Sequence, residues 1–140
     1  SKTGQVVDIS TFAMTNGRTI ILKKFMYDDS AYLAKQYAKA VAAGHFPKGT
    51  DYACIIAHET GHIIDKNTRG LRKEVVYVVE KAAHQEGITM DEYITKNVSI
   101  YGAALNSKWE YHELVPELHS MLSSGGKHDI IDLLRKEGVF

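Results

Sequence analysis

The chain has 140 residues, 44% of them apolar and 24% charged, with 17 basic and 17 acidic side chains and a formal net charge of zero. That length fits one domain spanning 1–140, large enough to bury a core without staples. The charge balance excludes a nucleic-acid binder working through bulk charge. No stretch approaches the ~20 apolar residues of a membrane span, and a lone Cys54 excludes an internal disulfide and a cysteine-based zinc site.

The opening Ser1-Lys2-Thr3-Gly4 carries no apolar run, so no signal peptide is expected, and the sequence leaves the compartment open, with a virion and the cytoplasm among the settings that fit. Val6 to Met14 and Arg18 to Phe25 are rich in β-branched and apolar residues, and Thr15-Asn16-Gly17 lies between them. This pattern predicts a β-hairpin turning at Asn-Gly. Asp28-Asp29-Ser30 offers caps for a helix from Ala31 to Ala43 that stops at Gly44. A loop with Pro47 and Gly49 follows, then a helix capped by Thr50 or Asp51 and running to about Lys66. Leu71 to Glu86 reads as a third helix ended by Gly87, and Thr89-Met90-Asp91-Glu92 as a capping-box start for a short one. Ser99 to Ser107 reads as irregular. A helix is expected from about Lys108 to Leu122, and a last short one over Asp129 to Lys136. One hairpin followed by helices is an α+β pattern.

The chemistry centres on His58-Glu59-Thr60-Gly61-His62. Residues four apart on a helix share a face, so His58 and His62 can each turn one nitrogen toward a single ion. Glu59, one step round, can reach water at the metal and not the metal itself, which suits a general base. A shuffled chain of this composition contains such a motif only about 0.02 times. At ~100° per residue, Ala53, Ile56, Ala57, Ile63 and Ile64 gather on one side of the helix. Asp51, His58, His62 and Asp65 gather opposite. The expectation is therefore a helix with a buried apolar back and a polar stripe toward a cleft. Gly61, costly in mid-helix by ~1 kcal/mol, implies another backbone packed close beside the metal. Asp65 is expected either to support a ligand ring or backbone group from the second layer or to be a surface charge.

A catalytic zinc site needs a third protein ligand. His84, Glu110, His112, Glu113, Glu117 and His119 are candidates, and the run Glu110 to Glu117 is the densest. The pattern favours that helix without choosing within it.

The layout resembles the anthrax lethal factor-type metallopeptidases and the related domains at the C-terminal ends of phage minor head proteins. The residues that carry this are Phe46-Pro47-Lys48-Gly49-Thr50, the run His58 to Asp65, Ser99-Ile100-Tyr101-Gly102 and Glu113-Leu114-Val115-Pro116-Glu117, over roughly residues 18 to 122. The resemblance implies a zincin-like fold and one Zn2+ held by His58, His62 and Glu113. It implies Glu59 as general base, Tyr101 as the hydroxyl that stabilises the oxyanion, and Glu117 as a supporting carboxylate. The spacer from Tyr101 to Glu113 is longer than in the family, and Pro116 stands where a small residue is usual. Both departures keep Glu110 open as a ligand and Tyr111 as the stabiliser.

In zincins an exposed strand above the metal helix can hold an extended substrate by strand addition. Ile20, Ile21 and Leu22 are the expected edge. The function expected is zinc-dependent hydrolysis of a peptide or protein. The alternatives are a zinc-stabilised structural module of a phage head protein, and a toxin-type protease acting on a host protein.

Overall fold

A computed structural model describes residues 12–140. The chain is mixed α+β, with a two-stranded antiparallel sheet and a set of helices. Strands β1 (Ala13–Asn16) and β2 (Thr19–Leu22) pair Ala13 with Leu22 and Asn16 with Thr19. The hairpin loop is therefore Gly17-Arg18, one residue later than the expected Asn16-Gly17. Gly17 has φ +63° at the first loop position, where a tight hairpin turn requires it. The Val6 to Thr11 part of the expected first strand lies outside the described residues. The second strand ends at Leu22, and Lys24–Tyr27 forms a one-turn helix, α1.

Helix α2 (Ser30–Ala42) starts where the Asp29 carboxylate accepts from the Tyr32 N–H at 3.0 Å. Asp51 caps a 3-10 turn over Tyr52–Cys54, which leads into α3 (Ile55–Asn67). Helix α4 (Leu71–Glu86) stops at Gly87, whose φ is +70°. A reciprocal capping box between Thr89 and Glu92 starts α5 (Met90–Asn97). Helices α6 (Leu114–Ser123) and α7 (Asp129–Lys136) complete the chain. Among the described residues, no helix is long and apolar enough to cross a membrane.

The helix expected from Lys108 begins six residues later. The Asn106 side chain accepts from the Lys108 and Glu110 N–H groups at 2.9 and 3.0 Å, and Trp109 takes φ +61°. These bonds fold 106–110 into a compact loop in place of a helical turn. The later start also sets the position of Pro116 in its helix. It lies in the first turn of α6, where its nitrogen has no intrahelical partner to lose. The first helical bond runs from the Glu117 N–H to the Glu113 carbonyl at 3.0 Å.

Two apolar clusters flank α3. One joins α4 to α7 through residues such as Val75, Val79, Ile94, Leu114, Leu118, Ile130 and Leu134. The other gathers Phe12, Ala13, Leu33, Tyr37, Phe46 and Ile55. Helix α3 contributes Ile55 to the second and Ile64 to the edge of the first. Between these anchors it lies against α6, and the Gly61 position shows how closely. A Cβ built there would meet the Pro116 Cα at 2.6 Å. The glycine is thus required by the approach of another backbone, as its mid-helix position implies.

Gly61→Ala sets two effects against each other. Alanine favours the helix by about 1 kcal/mol, but the clash is with backbone, which cannot swing aside, and overpacking of this kind costs about 1–3 kcal/mol. The expected result in thermal denaturation is a lower melting temperature. An unchanged or higher one would contradict the close α3–α6 approach.

Candidate metal centre

Helix α3 turns its polar stripe toward a cavity, as expected, but the apolar back expected to be buried is its more open side. His58 and Glu59 are buried, Asp65 nearly so and His62 half-buried, whereas Ile56 is 45% exposed and Ala57, Ile63 and Ile64 are only partly covered. Burying such groups costs free energy unless each finds a partner, and each buried polar group of the stripe has one.

His58 stands between two carboxylates. Its Nδ1 lies 3.0 Å from the Glu117 Oε2, and its Nε2 3.3 Å from the Glu113 Oε1. The same Glu113 oxygen lies 2.7 Å from the His62 Nε2. Glu113 is the N-cap of α6 and Glu117 sits one turn in, so one helix end delivers both. Burial works to lower the His58 pKa, but hydrogen bonds and charge from Glu113 and Glu117 outweigh it and hold it up to about 9. Burial also works to raise the Glu113 pKa, yet His58 and His62 carry it down to about 2.

This group can hold a metal ion. One ligand atom each from His58, His62 and Glu113 lies within 4.8 Å of the others. Four donors about 2.0–2.1 Å from a tetrahedral ion sit about 3.3–3.4 Å apart. The His58–Glu113 pair already has that spacing, and the His62–Glu113 pair needs to open by about 0.6 Å. The His58–Glu117 bond is the carboxylate–imidazole arrangement that fixes a metal-binding ring and its tautomer.

A relay behind His58 was not visible in the sequence. The Ser99 hydroxyl donates to the Glu117 Oε1 at 2.7 Å and accepts from the Gly102 N–H at 2.9 Å. The Tyr101 turn is thereby tied to the carboxylate that holds His58. The Ile100 and Tyr101 N–H groups also donate to the Gly44 and His45 carbonyls, at 2.9 and 3.1 Å. The Phe46 to Thr50 loop is fixed in turn, with Phe46 in the core and the Thr50 hydroxyl bonded to the Tyr37 OH and the Pro47 carbonyl. These bonds place the Tyr101 ring in a stack on His58, centroids 5.8 Å apart.

A cavity of about 440 Å³ opens beside the cluster, and Glu59, His62, Tyr101, His112 and Glu113 help to line it. The Thr15 hydroxyl shares its one proton between the Glu59 Oε2 and the Glu59 backbone carbonyl, the latter 3.2 Å away. Thr15, with Ala13, Met14 and Gly17, brings β1 and the hairpin loop to the cavity wall. Ile20, Ile21 and Leu22 lie in β2 and are not among the lining residues. β1 is therefore the strand nearest the site, and it packs on α3 more extensively than β2 does.

Other candidates are placed elsewhere. Glu110 binds Arg72 and Asn106 on the surface, and the Tyr111 hydroxyl donates to Asp91 at 2.7 Å, so neither joins the cluster. Asp65 touches neither histidine; it is ion-paired with Arg72 of α4. His119 packs beside Gly61, and burial lowers its pKa. His84 is exposed on α4. Cys54 is free and buried. No known protein family, characterised protein or solved structure gives a significant match to the chain.

Two outcomes follow for the metal centre. Glu113→Ala is expected to abolish tight metal binding, and Glu117→Gln to weaken it about 10–100-fold, both read by competition with a chelating dye. Wild-type affinity in Glu117→Gln would contradict the supporting role. In the metal-free protein the raised His58 pKa stabilises the fold fully below 6.5, and that contribution is lost as pH rises toward about 9. The melting temperature without metal is therefore expected to fall across this window. A flat profile would contradict the His58 pairing.

Proposed function

We propose that the domain is a zincin-like, single-zinc metallopeptidase that hydrolyses peptide bonds in a peptide or protein. The observation that carries this reading is the convergence of His58, His62 and Glu113 beside an open cavity that Glu59 also lines. Two imidazoles and a carboxylate suit zinc among the common divalent ions. When bound, the ion supplies a Lewis acid and makes water acidic enough to act as a nucleophile near neutral pH.

The chain's own residues do the rest. Glu59 takes a proton from the attacking water and passes it to the leaving amine. Thr15 holds that carboxylate at the cavity wall, so the hairpin is a positioning element for the base. The Tyr101 hydroxyl stabilises negative charge on the carbonyl oxygen. Support comes from its turn, which is fastened to the same Glu117 that orients His58. The resemblance to lethal factor-type and phage head-protein metallopeptidases points the same way.

A purely structural zinc tie calls for a closed site with four protein ligands. Among the described residues three donors gather, and a cavity meets them, which favours the enzyme.

The test is cleavage of a mixed peptide library by zinc-loaded protein. Wild type is expected to cleave, and Glu59→Gln to lose activity by about 100-fold or more while retaining zinc. Thr15→Val is expected to lower kcat with little change in KM, and Thr15→Ser to restore it. No cleavage by zinc-loaded wild type would sink the proposal, and wild-type kcat in Thr15→Val would remove the positioning role.

A further inference from the structure

Trp109 is held in an unusual way. Among the described residues it alone, glycines apart, has a positive φ, at +61°. It is also 81% exposed. A bulky residue at positive φ carries strain that persists only where its surroundings impose it. Here the surroundings are a closed set of hydrogen bonds. The Asn106 N–H donates to the Glu110 carbonyl at 3.1 Å, the Trp109 N–H to the Asn106 carbonyl at 3.0 Å, and the Asn106 side chain takes the Lys108 and Glu110 N–H groups. The loop is thus built to hold a large apolar ring out of the core.

Beside that ring lies a groove of about 370 Å³, with Val76 and Tyr77 of α4 on one wall and Trp109 and Tyr111 on the other. Tyr77 is 61% exposed. The groove does not stand apart from the metal centre. Arg72 lines both the groove and the metal cavity, and it bridges Asp65 of one to Glu110 of the other. The chain itself passes from groove to cavity, since Trp109, Glu110 and Tyr111 line the first and His112 and Glu113 the second. Four residue steps span at most about 14 Å even when fully extended. The groove therefore lies within reach of about four extended residues of a peptide held at the metal cavity.

We propose that this groove is a subsite for an aromatic or large aliphatic side chain of the polypeptide substrate, about four residues or fewer from the bond at the metal. The inference rests on the peptidase reading for the substrate class. An exposed aromatic pair takes such a side chain by stacking and by removing apolar surface from water. The charged residues of the groove's lining balance in sign, Arg72 and Lys73 against Glu80 and Glu110, and give no net preference for a charged one.

The chain has one tryptophan, so its fluorescence reports the groove directly and without any cleavage. The probes are soluble octapeptides of a Gly/Ser host with a single Phe, Leu, Glu or Ala guest, added to zinc-loaded Glu59→Gln protein. Phe and Leu guests are expected to give a saturable blue shift of Trp109 emission, and Tyr77→Ala to weaken it at least threefold. Glu and Ala guests are expected to leave emission unchanged. Library cleavage by Trp109→Gly, which suits the positive φ, is expected to lose the preference for a large apolar residue at one position. Equal shifts from all four guests, or no shift from any, would overturn the subsite even in an active peptidase. A shift that follows protein concentration and not peptide would assign the groove to a second copy of the chain and overturn it too. A saturable Phe shift in a protein that cleaves nothing would keep the groove as a peptide site and reject the peptidase reading alone.

Discussion

The structure turns on the placement of one imidazole between two buried carboxylates. His58 has no exposed surface, and it meets Glu113 through one ring nitrogen and Glu117 through the other. An imidazole in that position cannot be left unpaired without a large desolvation cost. Each neighbour is accordingly held in turn. Glu117 is tied to Ser99 and hence to the Tyr101 turn, and Glu113 to His62. The proton that the metal-free protein keeps on His58 stands in for positive charge, and the donor set around it is one that a divalent ion can take over.

That arrangement requires α3 and α6 to cross closely, and the crossing sits on the seam between two apolar clusters. Gly61 and Pro116 are the contact. The proline costs nothing there because it falls in the first turn of α6, before the intrahelical bonds begin. The glycine costs helix propensity but admits the other backbone. With the seam filled by polar side chains, the apolar clusters to either side do most of the stabilising, and the polar layer sets position.

The sequence was most informative where a property belongs to a single helix. The spacing of His58 and His62, the caps at Asp29 and Thr89 and the stop at Gly87 are local matters, and the structure has them as expected. The choice of Glu113 and Glu117 from a distant helix came from a family resemblance, and the structure brings both to His58. What local pattern could not supply was the direction of burial. The alternation on α3 marked Ile56 and Ile63 as the inner face, but the polar side is inside because Thr15, Glu113, Glu117 and Arg72 satisfy it from other elements of the fold. Such contacts, most of them between residues far apart in the chain, leave no periodic trace. The late start of α6 was hidden for a similar reason, because Asn106 competes for backbone groups that propensity alone would give to a helix.

The most direct measurement is an anomalous difference map at the zinc edge from crystals of the zinc-loaded protein. One peak within about 2.0–2.2 Å of the His58 Nε2, the His62 Nε2 and a Glu113 oxygen, with the Glu117 carboxylate still on the His58 Nδ1, is the predicted result. No peak in zinc-saturated crystals, or a peak held by other residues, would contradict the account.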